Sequence, residues 1–260
     1  MEDKSSILFL VFSLLTIFFA IVISNMIAHS YAELWSNTLN LAITSILLVA
    51  CIVNNFKTGT SGKHGRAWMC FTLAIAMWWI AERIWTLNEL TNNDTLPYAD
   101  LFWFGGYVFY FIFGVNYLRP FASQISRKNI VTVSLVVLAV LMLVLYTTKP
   151  HIGTFEEILH TAYPVADSVM LIPSILGMML FFKGDIKFSV SLFFIGMLSF
   201  VISDYAFMYF DSIGEYYTGH IVDIPYLLAY AIFISGIIAN MNIWNRINKK
   251  MPFNDQNTMR

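Results

Sequence analysis

Long apolar runs recur along the whole sequence and are separated by short polar segments. A membrane-spanning helix needs roughly 20 predominantly apolar residues, and eight runs approach or reach this length. Backbone polar groups cannot remain unpaired in lipid, so each span is expected to be a helix. The pattern predicts an all-α integral membrane protein with eight transmembrane helices, near 6–28, 35–54, 67–87, 100–119, 129–146, 165–182, 188–210 and 222–244.

The composition agrees with this class and excludes several others. The chain is 58% hydrophobic and 12% charged, against about 25% charged for a soluble domain. No stretch is long or polar enough for a soluble domain, so we expect one transmembrane domain, 1–260, with a cytoplasmic tail at 247–260. The net charge of −1 gives no indication of nucleic acid. Cys51 and Cys70 predict neither a disulfide nor a metal site, and no cofactor is expected.

The positive charges predict the orientation. Thirteen of the fifteen Lys and Arg residues fall at the N-terminus, in three alternate loops and in the C-terminal tail. Only Lys149 lies in the opposite set of loops, and Arg83 lies within a span. By the positive-inside rule both termini are cytoplasmic, and a plasma-membrane location is expected. Trp35, Trp85 and Trp103 fit an aromatic belt at the outer surface.

An acidic helix pair occurs twice, about half a chain apart. In each copy one acid lies inside an apolar run, and a second acid and a tyrosine open the next run. Glu82 and Asp204 are 122 positions apart. Asp100 and Asp223 are 123 positions apart, as are Tyr107 and Tyr230. Four spans is an even number, so both halves would enter the membrane in the same direction. We therefore predict parallel 4+4 repeats, with halves 1–122 and 123–246, from the residues Glu82, Asp100, Tyr107, Asp204, Asp223 and Tyr230.

Glu82 and Asp204 are the acids placed deepest within the spans. An ionisable group in a membrane helix costs about 2.5–3.5 kcal/mol at mid-helix, and usually faces the bundle interior or a wet cavity. A functional site is one interpretation, and a structural acid paired with Arg83 or with hydroxyl groups is the other. Arg83 points about 100° away from Glu82 on the same helix. It could reach Asp204 or extend to the outer surface.

Three further acids, Asp100, Asp167 and Asp223, open spans four, six and eight. Asp in a first helical turn caps free N–H groups and suits the positive end of the helix dipole. Pro97, Pro164 and Pro225 lie nearby, as expected at helix starts. Capping alone would explain each acid. Together with Glu82 and Asp204, however, they would form an acidic cluster that faces outward.

Several catalytic signatures are absent from the sequence. There is no His-Glu-x-x-His zinc motif and no Gly-x-Ser-x-Gly elbow. No phosphate-binding loop of the Walker type is present, and span eight contains no lysine that could carry a retinal. These absences favour a protein that is not an enzyme, although they leave an intramembrane hydrolase open.

Three short motifs lie between residues 97 and 230 of the sequence. They are Pro97-Tyr98-Ala99-Asp100 with Gly106-Tyr107, Tyr163-Pro164-Val165-Ala166-Asp167, and Ser203-Asp204 with Gly219, Asp223 and Tyr230. In that order they resemble the multi-span N-terminal sensory regions of bacterial diguanylate cyclases and histidine kinases. The resemblance covers roughly residues 75–240. It implies a sensory role with an outer-side ligand, and a partner protein would supply the signalling output.

Ser203-Asp204 lies in a late span and is followed by a final span that contains tyrosine. This arrangement looks like the second half of the eight-span lysoplasmalogenase family, a second and weaker resemblance. Such an enzyme would use intramembrane carboxylates to activate water. Glu82 and Asp204 could form this pair if the repeats bring them together.

The sequence therefore predicts a sensor or accessory module that binds a small ligand, a cation or protons in an outward-facing acidic pocket. A lysolipid hydrolase and a small transporter that uses carboxylates are the alternatives. The oligomeric state is left open. The predicted ligand-binding residues are Glu82, Arg83, Asp100, Tyr107, Asp167, Asp204, Asp223 and Tyr230.

Overall fold

A computed structural model describes residues 4–91, 98–148, 155–181 and 185–250. Within these ranges it contains eight α-helices, a short 3₁₀ helix at Arg119–Gln124 and no strand. Each α-helix is long and apolar enough to cross a membrane, as a multi-pass membrane protein requires. The helices are α1 Lys4–Ile27, α2 His29–Thr58, α3 Gly62–Thr91, α4 Tyr98–Leu118, α5 Arg127–Thr148, α6 Phe155–Phe181, α7 Asp185–Ser212 and α8 Asp223–Lys250.

The helices extend beyond most of the predicted spans. The segment 29–34, expected as an outer loop, belongs to α2, so Ala28 alone separates α1 from α2 and has an extended backbone (φ −168°, ψ 151°). Hydropathy marks only the apolar part of a helix, whereas backbone hydrogen bonding continues into polar sequence. Helix ends are therefore poorly predicted from apolar runs.

The N-terminal end of α6 shows the largest such difference. This helix begins at Phe155, so Asp167 lies twelve residues inside it and not in a first turn. Pro164 lies within the helix as well, and not at its start. The prediction that Asp167 opens a helix and caps it is therefore wrong. Asp167 is instead fully buried in the bundle, where capping gives no reason for its presence.

The last two helices form the centre of the bundle. Helix α8 packs against α1, α2 and α7, while α7 also packs against α6, and α3 packs extensively against α4. Helix α5 lies at the edge, against α6 and α7, and buries only Val133 and Val137. Its other apolar side chains are exposed in large part, as expected for a surface in contact with lipid.

Aromatic rings in edge-to-face, tilted and stacked contacts fill the core between α3, α4, α7 and α8. The ring centroids of Phe71 and Phe193 are 5.0 Å apart, and those of Phe71 and Phe113 are 4.9 Å apart. Trp78 stacks on Phe200 at 5.1 Å, with 15° between the ring planes. The contacts Phe71–Phe193 and Trp78–Phe200 join residues 122 positions apart.

Gly106 allows α4 to approach α3 closely. A Cβ atom at this position would lie 2.1 Å from Nε1 of Trp78. The indole of Trp78 donates a hydrogen bond to the carbonyl oxygen of Trp103 at 3.2 Å. The absent side chain therefore makes room for a ring of the core, which agrees with the use of small residues at helix interfaces in membranes.

Candidate functional site

A cavity of about 400 Å³ opens between α2, α3, α4, α6, α7 and α8. It lies where the C-terminal parts of α3 and α7 meet the N-terminal parts of α4 and α8. Among the described residues no Lys, Arg or His lines it. Its lining includes five acidic side chains, Glu82, Asp100, Asp204, Asp211 and Asp223.

Glu82 is held by neutral donors from two other helices. The hydroxyl group of Tyr230 in α8 donates to Oε1 at 2.9 Å, and Nδ2 of Asn40 in α2 donates to Oε2 at 3.0 Å. Arg83 donates to Oδ1 of the same Asn40 and, at 3.5 Å, to Thr44. The side-chain amide of Asn40 thus bridges Glu82 and Arg83. Arg83 is directed towards α2, a partner that the sequence did not indicate.

Asp204 and Asp167 share a tyrosine. The hydroxyl oxygen of Tyr107 lies 2.6 Å from Oδ1 of Asp167 and 2.8 Å from Oδ2 of Asp204. The hydroxyl group of Tyr226 donates to Oδ1 of Asp204. Asp204 lines the cavity and Asp167 lies behind it, outside the lining. Oδ2 of Asp167 is buried and meets no donor among the described residues.

Asp223 binds to the loop before α8 and to α2. Its Oδ2 accepts hydrogen bonds from the hydroxyl of Ser36 at 2.8 Å and from the backbone N–H of Gly219 at 2.7 Å. Tyr216 donates to Oδ1 at 3.1 Å. Burial, and then the neighbouring carboxyl of Asp223, raises the pKa of Tyr216 well above its usual value. Tyr216 therefore remains a neutral donor at any physiological pH.

Aromatic rings form much of the remaining wall. Trp85 and Trp103 line the cavity, with ring centroids 5.7 Å apart, although their depth had suggested a belt facing lipid. Tyr163 donates a hydrogen bond to Asp100 and stacks on Phe104 at 4.7 Å. The cavity therefore combines acidic groups with ring faces.

The loop between α7 and α8 is attached to the first and third helices. Asn25 in α1 donates to the carbonyl oxygen of Gly219 at 2.8 Å and accepts a hydrogen bond from Tyr217. Thr218, which lines the cavity, donates to Glu89 in α3. Gly219 has φ +92°, and a Cβ atom there would lie 2.4 Å from the carbonyl carbon of Ala32. Only glycine fits this position.

The predicted site residues are brought close together. Glu82, Asp100, Tyr107, Asp204 and Asp223 line the cavity. The other three contact this set or its partners: Tyr230 binds Glu82, Asp167 binds Tyr107, and Arg83 binds Asn40. Each tyrosine contacts an acid of the other predicted half: Tyr107 contacts Asp204, and Tyr230 contacts Glu82.

Sequence reasoning missed several residues that complete the site. All of these residues are uncharged, and several lie on helices without a repeated acid. A tyrosine or asparagine in an apolar run gives no sign of the direction it faces. The missed residues are Ser36, Asn37, Asn40, Tyr163, Tyr216, Thr218 and Tyr226.

Comparisons with known proteins do not assign the chain to a family. No protein-family model, no curated protein and no solved structure matches it. Among the described residues, no group of three or more His, Cys, Asp or Glu side chains is placed to hold a metal ion.

Proposed function

We propose that this membrane protein binds a small organic cation in its acidic cavity and acts as a sensor or an accessory module. One observation carries the proposal: five acidic side chains and several aromatic rings line one cavity whose described residues include no Lys, Arg or His. The predicted resemblance to multi-span sensory regions is in keeping with this role.

The acids of the cavity give the reason for a positive ligand. Buried charges are normally paired, because an isolated ion loses its hydration without compensation. Here Glu82, Asp204 and Asp223 accept hydrogen bonds mainly from hydroxyl and amide groups, which carry no charge. Arg83, the nearest described base to Glu82, lies outside the lining. A cation would therefore be attracted to the carboxyl groups of the cavity.

The size and the aromatic walls favour an organic cation. About 400 Å³ is within the usual range for a small-molecule site, roughly 300–1,000 Å³, and is far larger than a bare ion needs. Cations bind over the faces of Trp and Tyr rings, and quaternary ammonium groups are recognised in this way. Trp85, Trp103 and Tyr226 provide such faces beside carboxylates.

We further propose that the cavity faces outward, with both termini in the cytoplasm of a cell whose plasma membrane holds the protein. The distribution of Lys and Arg supports this orientation. The reciprocal contacts Tyr107–Asp204 and Tyr230–Glu82 support the parallel 4+4 arrangement, as do the ring contacts between residues 122 apart. A separate output protein would receive the signal.

Thermal unfolding of the purified protein tests the proposal. A ligand at a hundred times its Kd stabilises a protein by about 2.7 kcal/mol. Tetramethylammonium and n-propylammonium should raise the melting temperature more than sodium at equal ionic strength. The variants Glu82→Gln and Asp204→Asn should lose most of this shift, and Glu215→Gln, which changes an exposed acid outside the lining, should keep it. An equal shift in all four proteins contradicts the proposal.

A lysolipid hydrolase is the second candidate, because Glu82 and Asp204 line the same cavity. One carboxyl group could then protonate a leaving group while the other activates water. Incubation of the purified protein with ether and ester lysolipids separates the two functions. Turnover that Asp204→Asn abolishes would establish the hydrolase, whereas cation-dependent stabilisation without turnover would favour binding.

A further inference from the structure

The hydroxyl group of Tyr107 has two carboxyl neighbours but only one hydrogen to donate. Its hydroxyl oxygen lies within hydrogen-bonding distance of both Asp167 and Asp204, yet a phenol has one hydrogen to donate. The hydroxyl hydrogen of Tyr226 is already directed to Asp204. Both contacts of Tyr107 can be hydrogen bonds only if one carboxyl group carries a hydrogen and donates it to the phenol oxygen.

The two carboxyl groups also interact with each other. Oδ1 of Asp167 and Oδ2 of Asp204 lie 2.6 Å and 2.8 Å from the same hydroxyl oxygen of Tyr107, so the two groups are close neighbours. Asp167 is fully buried, with Oδ2 unpartnered among the described residues. Neighbouring carboxylates that share a site retain one proton between them, since like charges repel at short distance. A shared proton satisfies these contacts.

We propose that Asp167 and Asp204 hold one shared proton with Tyr107, and that a cation entering the cavity displaces it; the second part rests on the cation-binding function proposed above. Asp204 is the member of the pair that lines the cavity, so a cation reaches it first. The proton leaves through the cavity to water as the cation arrives. One positive charge replaces another, and the net charge of the buried cluster does not change.

The surroundings of the pair contain no competing base among the described residues. The titratable groups that face it are phenols and further acids. Tyr205 bonds to Ser168, and Tyr163 bonds to Asp100. The phenols stay neutral and act as hydrogen-bond donors or acceptors. Loss of the proton shared by Asp167 and Asp204 therefore offsets the charge of the cation. The facing groups are Tyr107, Tyr163, Tyr205, Tyr226, Tyr230, Asp100 and Glu82.

Titration calorimetry with tetramethylammonium tests the exchange. Acid should weaken binding, with Kd rising about tenfold for each unit that pH falls while the pair holds its proton. Buffers with different ionisation enthalpies should report about one proton released per cation. Asp167→Asn removes the second carboxyl group and should abolish most of the pH dependence, whereas Tyr205→Phe should preserve it. Binding that is independent of pH would overturn the exchange while leaving cation binding in place.

Infrared spectroscopy of the free wild-type protein tests the shared proton directly. The free protein should show the C=O stretching band of a protonated carboxylic acid, and tetramethylammonium should remove it. Asp204→Asn should lack the band from the start. A spectrum of the wild-type protein without this band overturns the shared proton. If the band is present but no ammonium ion binds, the displacement is wrong, and so is the proposed function.

Discussion

Helices α3 and α7 bury aromatic rings at one end and border the acidic cavity at the other. Where α3 and α7 begin, rings such as Phe71 and Phe193 are fully buried and touch one another. Where these helices end, Glu82 and Asp204 border an open cavity. The aromatic end contributes packing, which holds helices together in lipid. The cavity end gives up that packing and places costly acids where a ligand can reach them. Substitutions at the two ends should therefore change stability in different ways.

The largest effect is expected from Phe193→Ala at the aromatic end. This ring contacts Trp68, Phe71 and Phe233 and has no exposed surface. Its removal leaves a cavity in the core, and changes of this kind cost about 3–5 kcal/mol. Chemical or thermal unfolding in detergent should show the loss. The matched change Phe12→Ala, at a ring with 69% exposure, should alter stability little, and an equal loss there would remove the contrast.

A smaller loss of stability is expected from a substitution at Gly106, which lies between the aromatic end and the cavity end. Gly106→Ala places a methyl group on the indole of Trp78, and overpacking of this kind costs about 1–3 kcal/mol. Gly105→Ala is the control, because its Cβ atom would make ordinary contacts with Met77 at 3.6 Å and beyond. The melting temperature of both variants checks the prediction. Equal behaviour would mean that α3 and α4 are less closely packed than the structure shows.

At the cavity end, Tyr230→Phe removes one hydrogen bond to Glu82. Glu82 keeps Asn40, so the loss should be about 0.6 kcal/mol, the average measured for hydrogen bonds between membrane helices, and at most about 1.7 kcal/mol. Unfolding measurements give this value. The same change at Tyr110, whose hydroxyl donates to the carbonyl oxygen of Phe193 at 2.8 Å, provides the comparison at the aromatic end. A far larger loss at Tyr230 would indicate that Glu82 is structural.

The smallest effect, and one of opposite sign, is expected from Asp204→Asn. The amide can donate to Tyr107 as a protonated carboxyl would, while its oxygen still accepts from Tyr226. Without ligand, the variant should be as stable as the wild type or more stable by about 0.5 kcal/mol, as often found when a functional acid is removed. Differential scanning calorimetry checks this. A large loss would contradict the shared proton.

The sequence predicted the fold and the acids better than the cavity wall. Eight apolar runs gave eight helices, because hydropathy reports directly which segments avoid water. Glu82 and Asp204 were found because an acid in such a run is rare. Trp85 and Trp103 were assigned to a belt, since depth can be read from the sequence while the face of the helix cannot. Asn40 was missed for the same reason.

Asp167 shows why helix ends limit such predictions. The apolar run near 165–182 predicts a helix that Asp167 opens, a position where capping alone would explain the acid. The structure continues the helix back to Phe155, and the acid becomes a buried partner of Tyr107. A polar segment can remain helical because its backbone hydrogen bonds continue. The pattern of apolar residues does not show this continuation.

The attachment of Gly219 and Tyr217 to Asn25 has a mechanical consequence. Helix α1 exposes most of its apolar residues, so its tilt depends on the thickness of the surrounding bilayer. Gly219 in turn donates to Asp223. A tilt of α1 is therefore passed through two hydrogen bonds to an acid of the cavity. For the proposed cation site, we therefore expect an affinity that depends on the lipid in which the protein is reconstituted.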